Sequence, residues 1–169
     1  EKNAGGNPTE PCYCGGLTEF VYHIDTYHLL KCLTCTLVFV EGKNCDKKLY
    51  EEEYFQGHGT GYLDYERDKL ASSKYLVDYL DQITRYKGFN ASICDLGAAT
   101  GFFVELANQS NFHAAGIEPS QFAAEFGISL GRNVKNGDVE TSSKAVKYDV
   151  VTILDVLEHV PNPYDFLNH

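Results

Sequence analysis

Short apolar runs alternate with helical patterns over the second half of the chain. From residue 91 onward the pattern predicts a strand, a helix, a strand, a helix and two further strands. These elements are Ser92–Leu96, Gly101–Gln109, Ala114–Glu118, Gln121–Leu130, Asn133–Asn136 and Tyr148–Leu154. Such alternation is typical of parallel strands joined by crossover helices. We therefore predict an α/β domain over residues 91–169, built on a doubly wound parallel sheet.

Residues 46–90 have a different pattern. A charged segment rich in tyrosine leads into a stripe of apolar residues at helical spacing, which stops near Gly88. The stripe comprises Leu70, Leu76, Val77, Leu80 and Ile83. We predict a helix here that leads into the first strand of the sheet.

Residues 1–45 combine three β-like runs with two pairs of cysteines. The runs are Phe20–Ile24, Tyr27–Cys32 and Thr36–Val40, and the dipeptide Asp25-Thr26 suits a tight hairpin between the first two. The cysteine pairs are separated by residues 15–31, close to the spacing of a four-cysteine zinc ribbon, although the first pair is C-x-C rather than C-x-x-C. The candidate zinc ligands are Cys12, Cys14, Cys32 and Cys35. We predict a small zinc-ribbon-like β module with a structural zinc ion; a disulfide pair and free thiols are the alternatives.

Composition narrows the range of partners. The 169 residues carry a formal net charge of −10, which disfavours binding to a phosphate backbone, so we expect no nucleic-acid partner. The sequence contains no apolar run long enough to span a membrane and no signal-peptide pattern, and we expect a cytoplasmic protein with no membrane partner. Thiols stay reduced in that compartment, which favours a metal over a disulfide.

Acidic residues lie at the predicted strand ends. Ligands of doubly wound sheets bind beyond the carboxyl ends of the strands, where the loops converge. Asp95 lies at the end of the first strand, Glu118 ends the second and suits ribose hydroxyls, Asp138 follows the third and suits an adenine amino group, and Asp155 follows the fourth. Each carboxylate could instead cap a helix or close a turn. Together they favour a nucleotide-like ligand.

A dinucleotide is the obvious candidate ligand, and it fits poorly. The G-x-G-x-x-G spacing would require glycine at positions 99 and 102, which are Ala99 and Phe102, and Asp95 would repel a pyrophosphate. S-adenosylmethionine (SAM) instead carries an ammonium and a sulfonium group, both suited to carboxylates. An NAD-dependent oxidoreductase remains the alternative enzyme.

Four segments, in order, resemble the motifs of class I SAM-dependent methyltransferases, which have a Rossmann-like fold. They are D-L-G-A-A-T-G at 95–101, G-I-E-P-S at 116–120, G-D-V at 137–139, and Y-D-V-V at 148–151 running on to L-E-H-V-P-N-P at 157–163. Ala99 stands where the family commonly has glycine. The resemblance implies SAM as cofactor, bound by Asp95, Gly97, Ala98, Ala99, Gly101, Glu118, Pro119, Asp138, Val139, Leu154 and Asp155.

The pair Glu158-His159 follows the fourth strand, where the acceptor should meet the methyl group. Methyl transfer chiefly requires alignment of the acceptor and removal of its proton. His159 is the candidate base, because histidine exchanges protons near neutral pH. In similar enzymes a Glu-His pair at this place holds a divalent metal that binds the acceptor. The alternative is a histidine at a helix start with no role in the chemistry.

An aromatic segment surrounds the glycine-rich run at 57–61. It contains Tyr50, Tyr54, Phe55, Tyr62 and Tyr65. We interpret it as a lid over SAM, with Tyr62 as a cofactor contact and His58 as a second candidate base; a surface loop is the alternative. The order of cysteine module, aromatic segment and SAM domain resembles bacterial methyltransferases of nucleotide-sugar and natural-product pathways.

The sequence thus predicts methyl transfer from SAM to oxygen or carbon of a small-molecule acceptor, with a non-catalytic interaction protein as a further alternative. The resemblance implies a complete fold of seven strands, and only about four are visible in the pattern. We therefore expect further strands beyond Asn168-His169.

Overall fold

The computed structural model describes residues 10–42, 65–71, 73–139 and 146–168. The chain divides into two compact units, one from residues 1–45 and 159–169 and the other from residues 46–158. None of the helices in these described ranges combines the length and apolar character that a membrane span needs.

The N-terminal unit contains an antiparallel meander of three strands, in the order β1-β2-β3. The strands are β1 (Thr18–Ile24), β2 (Tyr27–Cys32) and β3 (Val38–Val40). Ile24 pairs with Tyr27 across the turn, and Asp25 has a φ of 52°, so the predicted hairpin is confirmed. The prediction that the third strand starts at Thr36 was wrong, because Thr36 has a left-handed φ of 64° and its N–H donates to the Cys32 carbonyl.

Two helices precede the parallel sheet. They are α1 (Tyr65–Ala71) and α2 (Ser73–Lys87), and Gly88, with a φ of 79°, ends α2 by donating its N–H to Thr84. On α2 the side chains of Leu76, Leu80 and Ile83 are buried. The predicted stripe was wrong at its two remaining positions, since the side chains of Leu70 and Val77 are exposed. Leu70 belongs to α1, and Val77 points away from the buried face because each residue turns about 100° around a helix.

The second unit is built on a parallel sheet in the order β6-β5-β4-β7. Its strands are β4 (Ser92–Leu96), β5 (His113–Glu118), β6 (Val134–Asn136) and β7 (Val150–Thr152). Helices α3 (Phe102–Gln109) and α4 (Gln121–Ser129) form the crossovers between the first three strands. The order reverses beside β4, as it does in doubly wound sheets. The predicted α/β fold is confirmed.

An apolar core lies between the sheet and its helices. It includes Leu76, Leu80, Ile93, Phe103, Val104, Phe112 and Val134. Ile93 on the central strand and Val104 on α3 are completely buried. The core therefore fixes β4 and the start of α3, between which the candidate site lies.

The largest boundary error concerns the last strand. The predicted strand ran from Tyr148 to Leu154, whereas β7 covers three residues and Val151 on it is exposed. Gly101 was predicted as the first residue of α3, but its φ of 76° places it outside the helix. After β7 the chain forms a 3-10 helix (Leu157–His159) and helix α5 (Pro163–Asn168).

Candidate functional site

The chain reverses direction between β4 and α3 in a tight turn, Gly97 to Gly101, hereafter the glycine turn. Gly97 and Gly101 have φ angles of 76°, and Ala99 between them has a φ of 49°. A Cβ atom at position 97 would lie 2.4 Å from Val156, and one at position 101 would lie 2.4 Å from Val134. Both positions therefore require glycine, and the turn presents main chain rather than side chains at the carboxyl edge of the sheet.

Glu118, the last residue of β5, holds the glycine turn against the end of that strand. Its carboxylate accepts hydrogen bonds from the N–H groups of Ala99 and Ser120, both at 2.7 Å. The residue is 6% exposed. Burial raises the pKa of Glu118, and the two N–H donors partly oppose that shift. A carboxylate offers about four acceptor positions, so these two bonds leave capacity for hydroxyl donors of a ligand.

Asp95 lies one residue before the end of β4 and is 3% exposed. The hydroxyl of Thr152 on β7 donates to its carboxylate at 2.6 Å. Burial is the largest of the effects that raise the pKa of Asp95 to about 7. The hydrogen bond from Thr152 and the charge of Lys69 act to lower this pKa, and the charge of Glu118 acts to raise it. Asp95 is thus poised between its neutral and charged forms, and a nearby cation would favour the charged form.

Arg132, in the loop between α4 and β6, forms a network that the sequence did not predict. Its guanidinium makes a bidentate pair with Glu66 on α1, at 2.8 and 2.7 Å, and donates to Glu105 on α3 at 2.6 Å. It also donates to the carbonyl oxygen of Thr100 in the glycine turn at 3.0 Å. The Thr100 hydroxyl in turn donates to Glu66. Helix α1 is therefore tied to the glycine turn.

A second ion pair joins α1 to the loop after β7. The Lys69 ammonium lies 3.6 Å from the carboxylate of Asp155, whose φ is 56°. Leu154, the residue before it, is half-buried. Helix α1 thus contacts both the glycine turn and the segment that follows the edge strand.

The end of β6 is tied to the end of β5. The side chain of Asn136 donates to the carbonyl oxygens of Glu118, at 3.0 Å, and Pro119, at 3.2 Å. The exposed Asp138 and half-buried Val139 follow directly. The predicted cofactor residues of β4, β5 and β6 therefore lie along one edge of the sheet, because the carboxyl ends of parallel strands share an edge.

Glu158 and His159 are both exposed and lie in the 3-10 helix after β7. The division between the two compact units falls between them, with Glu158 in the sheet unit. Tyr62 and His58, predicted from the aromatic segment, lie outside the described residues, as does Cys45.

The four predicted zinc ligands of the N-terminal unit come together. All four Sγ atoms lie within 4.8 Å of one another, with Cys12 3.5 Å from Cys35 and Cys14 3.6 Å from Cys32. A tetrahedral zinc ion with Zn–S bonds of about 2.3 Å would hold its sulfurs ~3.8 Å apart, so the spacing fits a four-thiolate zinc site. The C-x-C pair therefore supplies two converging thiols despite its short spacing.

Main-chain groups complete this cluster. The N–H groups of Thr34 and Cys35 each point to the Cys32 sulfur at 3.3 Å, and the hydrogen bond from Cys35 is the largest cause that lowers the pKa of Cys32 to about 6. Such N–H donors favour a thiolate, the form that binds metal. A Cβ atom at Gly16 would lie 2.8 Å from the Cys32 sulfur, so the loop approaches the cluster closely.

Residues 65–169 match a family model described as a methyltransferase domain. This match covers more than half of the chain. The chain belongs to the methyltransferase domain family. The matched range contains the glycine turn, Glu118 and the Arg132 network, so the described site lies within the family's own domain.

The chain is also similar to a curated relative. It is 32% identical over 98 residues to a ubiquinone biosynthesis O-methyltransferase of Aeromonas salmonicida (strain A449), a match that covers 52% of this chain and 41% of the relative. The chain therefore spans less than half the length of that relative.

Two solved structures show the same fold. Both are of the plantazolicin methyltransferase BpumL, one with S-adenosylhomocysteine (SAH) and one with SAH and a pentazolic desmethylPZN analogue. Each has a TM-score of 0.51 and covers 62% of this chain and 44% of the other, with sequence identities of 21% and 22%. These likenesses confirm the Rossmann-like fold of the methyltransferase domain.

Proposed function

We propose that the methyltransferase domain binds SAM at the carboxyl edge of its sheet and transfers the methyl group to oxygen or carbon of a small-molecule acceptor. One observation carries this proposal: Glu118 holds a main-chain turn at the strand ends while a second buried carboxyl group, Asp95, lies beside it. SAM, when bound, supplies a methyl group on a positively charged sulfur. Carboxylates favour such a cation, whereas they would repel a pyrophosphate.

In this proposal, different residues at the carboxyl edge of the sheet bind different parts of SAM. Glu118 accepts the ribose hydroxyls while it keeps its two main-chain bonds, and Asp138 meets the adenine amino group. Asp95 and Asp155 face the cationic methionine part, with the main chain from Gly97 to Gly101 close to the ligand. Pro119, Val139 and Leu154 supply apolar contacts around the adenosine. Tyr62 lies outside the described residues and is a further candidate contact of the cofactor.

The reaction itself requires that the acceptor be aligned and lose a proton. His159 is the base in this proposal, and Glu158 assists it or holds a divalent metal with it. Both residues are exposed, as a group that meets an incoming acceptor must be.

The acceptor class rests on two lines of support. The curated relative is named an O-methyltransferase, which favours oxygen as the methylated atom. The order of cysteine module, aromatic segment and methyltransferase domain resembles enzymes of nucleotide-sugar and natural-product pathways, so we propose an acceptor of that kind. Membership in the methyltransferase domain family disfavours the alternative of an NAD-dependent oxidoreductase.

We also propose that the four-cysteine cluster holds zinc. The sulfur spacing and the N–H donors to Cys32 support a closed site with no position for substrate. Zinc there is structural, since a unit this small buries too little apolar surface to fold alone. We propose that the protein is located in the cytoplasm, because thiols stay reduced there and remain able to bind zinc.

The test separates cofactor binding from chemistry with three variants of the full-length protein. Glu118→Gln removes one acceptor oxygen, and we expect its Kd for SAH to rise at least about tenfold because a strand-end contact is lost. Asp78→Asn, on the exposed face of α2, removes the same charge and should leave the Kd unchanged. His159→Ala should bind SAH normally and transfer methyl groups more slowly.

Calorimetric titration and a methyl-transfer assay decide between the outcomes. If SAH binding by Glu118→Gln equals that of Asp78→Asn, the proposed cofactor site is wrong. If turnover by His159→Ala is unchanged, His159 has no part in the mechanism.

A further inference from the structure

Arg132 joins three parts of the chain that are far apart in sequence. It is 66 residues from Glu66 on α1, 32 from Thr100 in the glycine turn and 27 from Glu105 on α3. Its side chain is only 7% exposed. A buried guanidinium loses the solvation of its charge, so it is favourable only because these acceptors replace water.

The contacts between Arg132 and the turn are close as well as polar. A Cβ atom at Gly101 would lie 3.4 Å from the Cβ atom of Arg132, and the guanidinium carbon lies 5.6 Å from the centroid of the Phe102 ring at the start of α3. The main chain of Thr100 also lies against α4, since a Cβ atom at Gly127 would be 2.5 Å from the Thr100 oxygen. The carbonyl oxygen of Thr100 therefore contacts both α4 and the Arg132 side chain.

The positive charge of Arg132 is shared by two carboxylates. Glu66 and Glu105 both pair with the same guanidinium. Removal of the arginine would leave two carboxylates around one partly buried site, and their repulsion would push α1 away from the glycine turn. The Thr100 hydroxyl, which donates to Glu66, also accepts a hydrogen bond from Arg132 and would lose that bond at the same time.

We propose that Arg132 is a positioning residue for cofactor binding, which keeps helix α1 seated on the glycine turn through Glu66 and Thr100. The inference rests on the proposed function, because it assumes that the ligand of the turn is SAM. Arg132 acts through the turn and α1 and does not itself touch the cofactor. Its loss should weaken cofactor affinity more than it slows the step after binding.

The test measures SAH affinity for four forms of the full-length protein: unaltered, Arg132→Met, Arg132→Lys and Asp149→Asn. Arg132→Met keeps the apolar volume of the side chain but no charge, and we expect its Kd for SAH to rise at least about tenfold, since the loss of one hydrogen bond between the displaced turn and the ligand weakens binding by about that factor. Arg132→Lys restores the charge without the bidentate geometry and should recover part of the affinity.

Asp149→Asn is the matched structural control. Asp149 accepts from the N–H and hydroxyl of Ser92 at 2.8 and 2.7 Å, a link across 57 residues at the amino-terminal edge of the sheet, away from the glycine turn. We expect this variant to lose stability and keep its SAH affinity within about twofold. A merely structural role for Arg132 would make Arg132→Met behave in the same way.

A double variant and hydrogen exchange complete the experiment. If Arg132 acts through Glu66, Glu66→Gln combined with Arg132→Met should bind SAH no more weakly than Arg132→Met alone. Amide exchange in Arg132→Met should accelerate in α1 and stay unchanged in β5. This second readout needs no ligand.

The outcomes separate the two proposals. An unaltered protein that fails to bind SAH overturns the proposed function and this inference with it. Normal SAH affinity in Arg132→Met, together with unchanged exchange in α1, overturns this inference and leaves the proposed function standing. If Arg132→Met does not fold, the decision passes to Arg132→Lys. This inference is then wrong if Arg132→Lys binds SAH as tightly as the unaltered protein does.

Discussion

Ala99 holds a main-chain conformation that residues with a side chain rarely adopt. Its φ of 49° lies in the left-handed region, at the position where the resembling family commonly has glycine. This conformation costs an L-residue about 1–2 kcal/mol, a cost that glycine avoids. Part of the gain is lost because glycine has greater freedom in the unfolded chain. We expect Ala99→Gly to raise the free energy of unfolding by ~0.5–1 kcal/mol in urea denaturation.

The neighbouring alanine provides the control. Ala98 is buried, its φ is not positive, and a Cβ atom at Gly116 would lie 2.5 Å from its methyl group. Ala98→Gly therefore relieves no strain and removes packed apolar surface, so it should destabilise the protein. Equal effects of the two substitutions would contradict this account of the turn.

Asp95 should make stability depend on pH. Its pKa in the folded protein is about 7 against an ordinary value of 3.8, and burial is the main cause. The Asp95 carboxyl group loses its proton above about pH 4 in the unfolded chain and only near pH 7 in the folded protein. Its contribution to the free energy of unfolding is therefore complete below about pH 4 and is lost as the pH rises to about 7. Asp95→Asn cannot ionise.

Denaturation curves from pH 4 to pH 8 test this expectation. The free energy of unfolding of Asp95→Asn, relative to the unaltered protein, should increase across the window by on the order of 2–4 kcal/mol and then level off. Titrating groups that do not interact with Asp95 are common to both proteins and cancel. A constant difference between the two curves would show that Asp95 is ionised throughout.

At the scale of residues, local patterns predicted positions better than partners. The places of Asp95 and Glu118 near strand ends, and of the four cysteines in one cluster, were predicted because strand ends and paired spacings are visible in the sequence. The main-chain donors to Glu118 were not predicted, because they depend on how the turn folds back. The Glu66–Arg132 pair could not be found either, since 66 residues and several elements separate its members.

At the scale of elements, periodicity located every strand of the two sheets and misplaced some ends. Strand β2 was predicted with its observed bounds, whereas β7 is shorter than its apolar run. An apolar run reports burial and not hydrogen bonding, so residues that pack beside the sheet extend the prediction beyond the strand.

The N-terminal unit should depend on zinc as one element. Its three strands bury few side chains besides Leu30 and the cluster cysteines, so we expect the proposed zinc ion to supply much of its stability. We expect a chelator to accelerate amide exchange in β1, β2 and β3 of the full-length protein, while exchange in β4 and β5 stays unchanged. Added zinc should reverse the effect, and freshly purified protein without zinc would contradict the prediction.

At the scale of the whole molecule, the alternation of strand and helix patterns in the sequence predicted the fold but not the acceptor. The order β6-β5-β4-β7 places the predicted cofactor residues of β4, β5 and β6 at one edge, which is why motifs spread over the sequence pointed to a common ligand. The acceptor was not predicted, because strand and helix patterns define the edge of the sheet and not the acceptor that it would meet. The chain spans 41% of its curated relative and 44% of each similar structure.

Calorimetric titration of the full-length protein decides whether the carboxyl edge of the sheet binds SAM. SAH and NAD are titrated separately into the unaltered protein, because both contain adenosine and only NAD carries a pyrophosphate. We predict saturable binding of SAH at one site per chain and no binding of NAD, as the carboxylates of Asp95 and Glu118 favour a cation. Binding of NAD without binding of SAH would contradict the account.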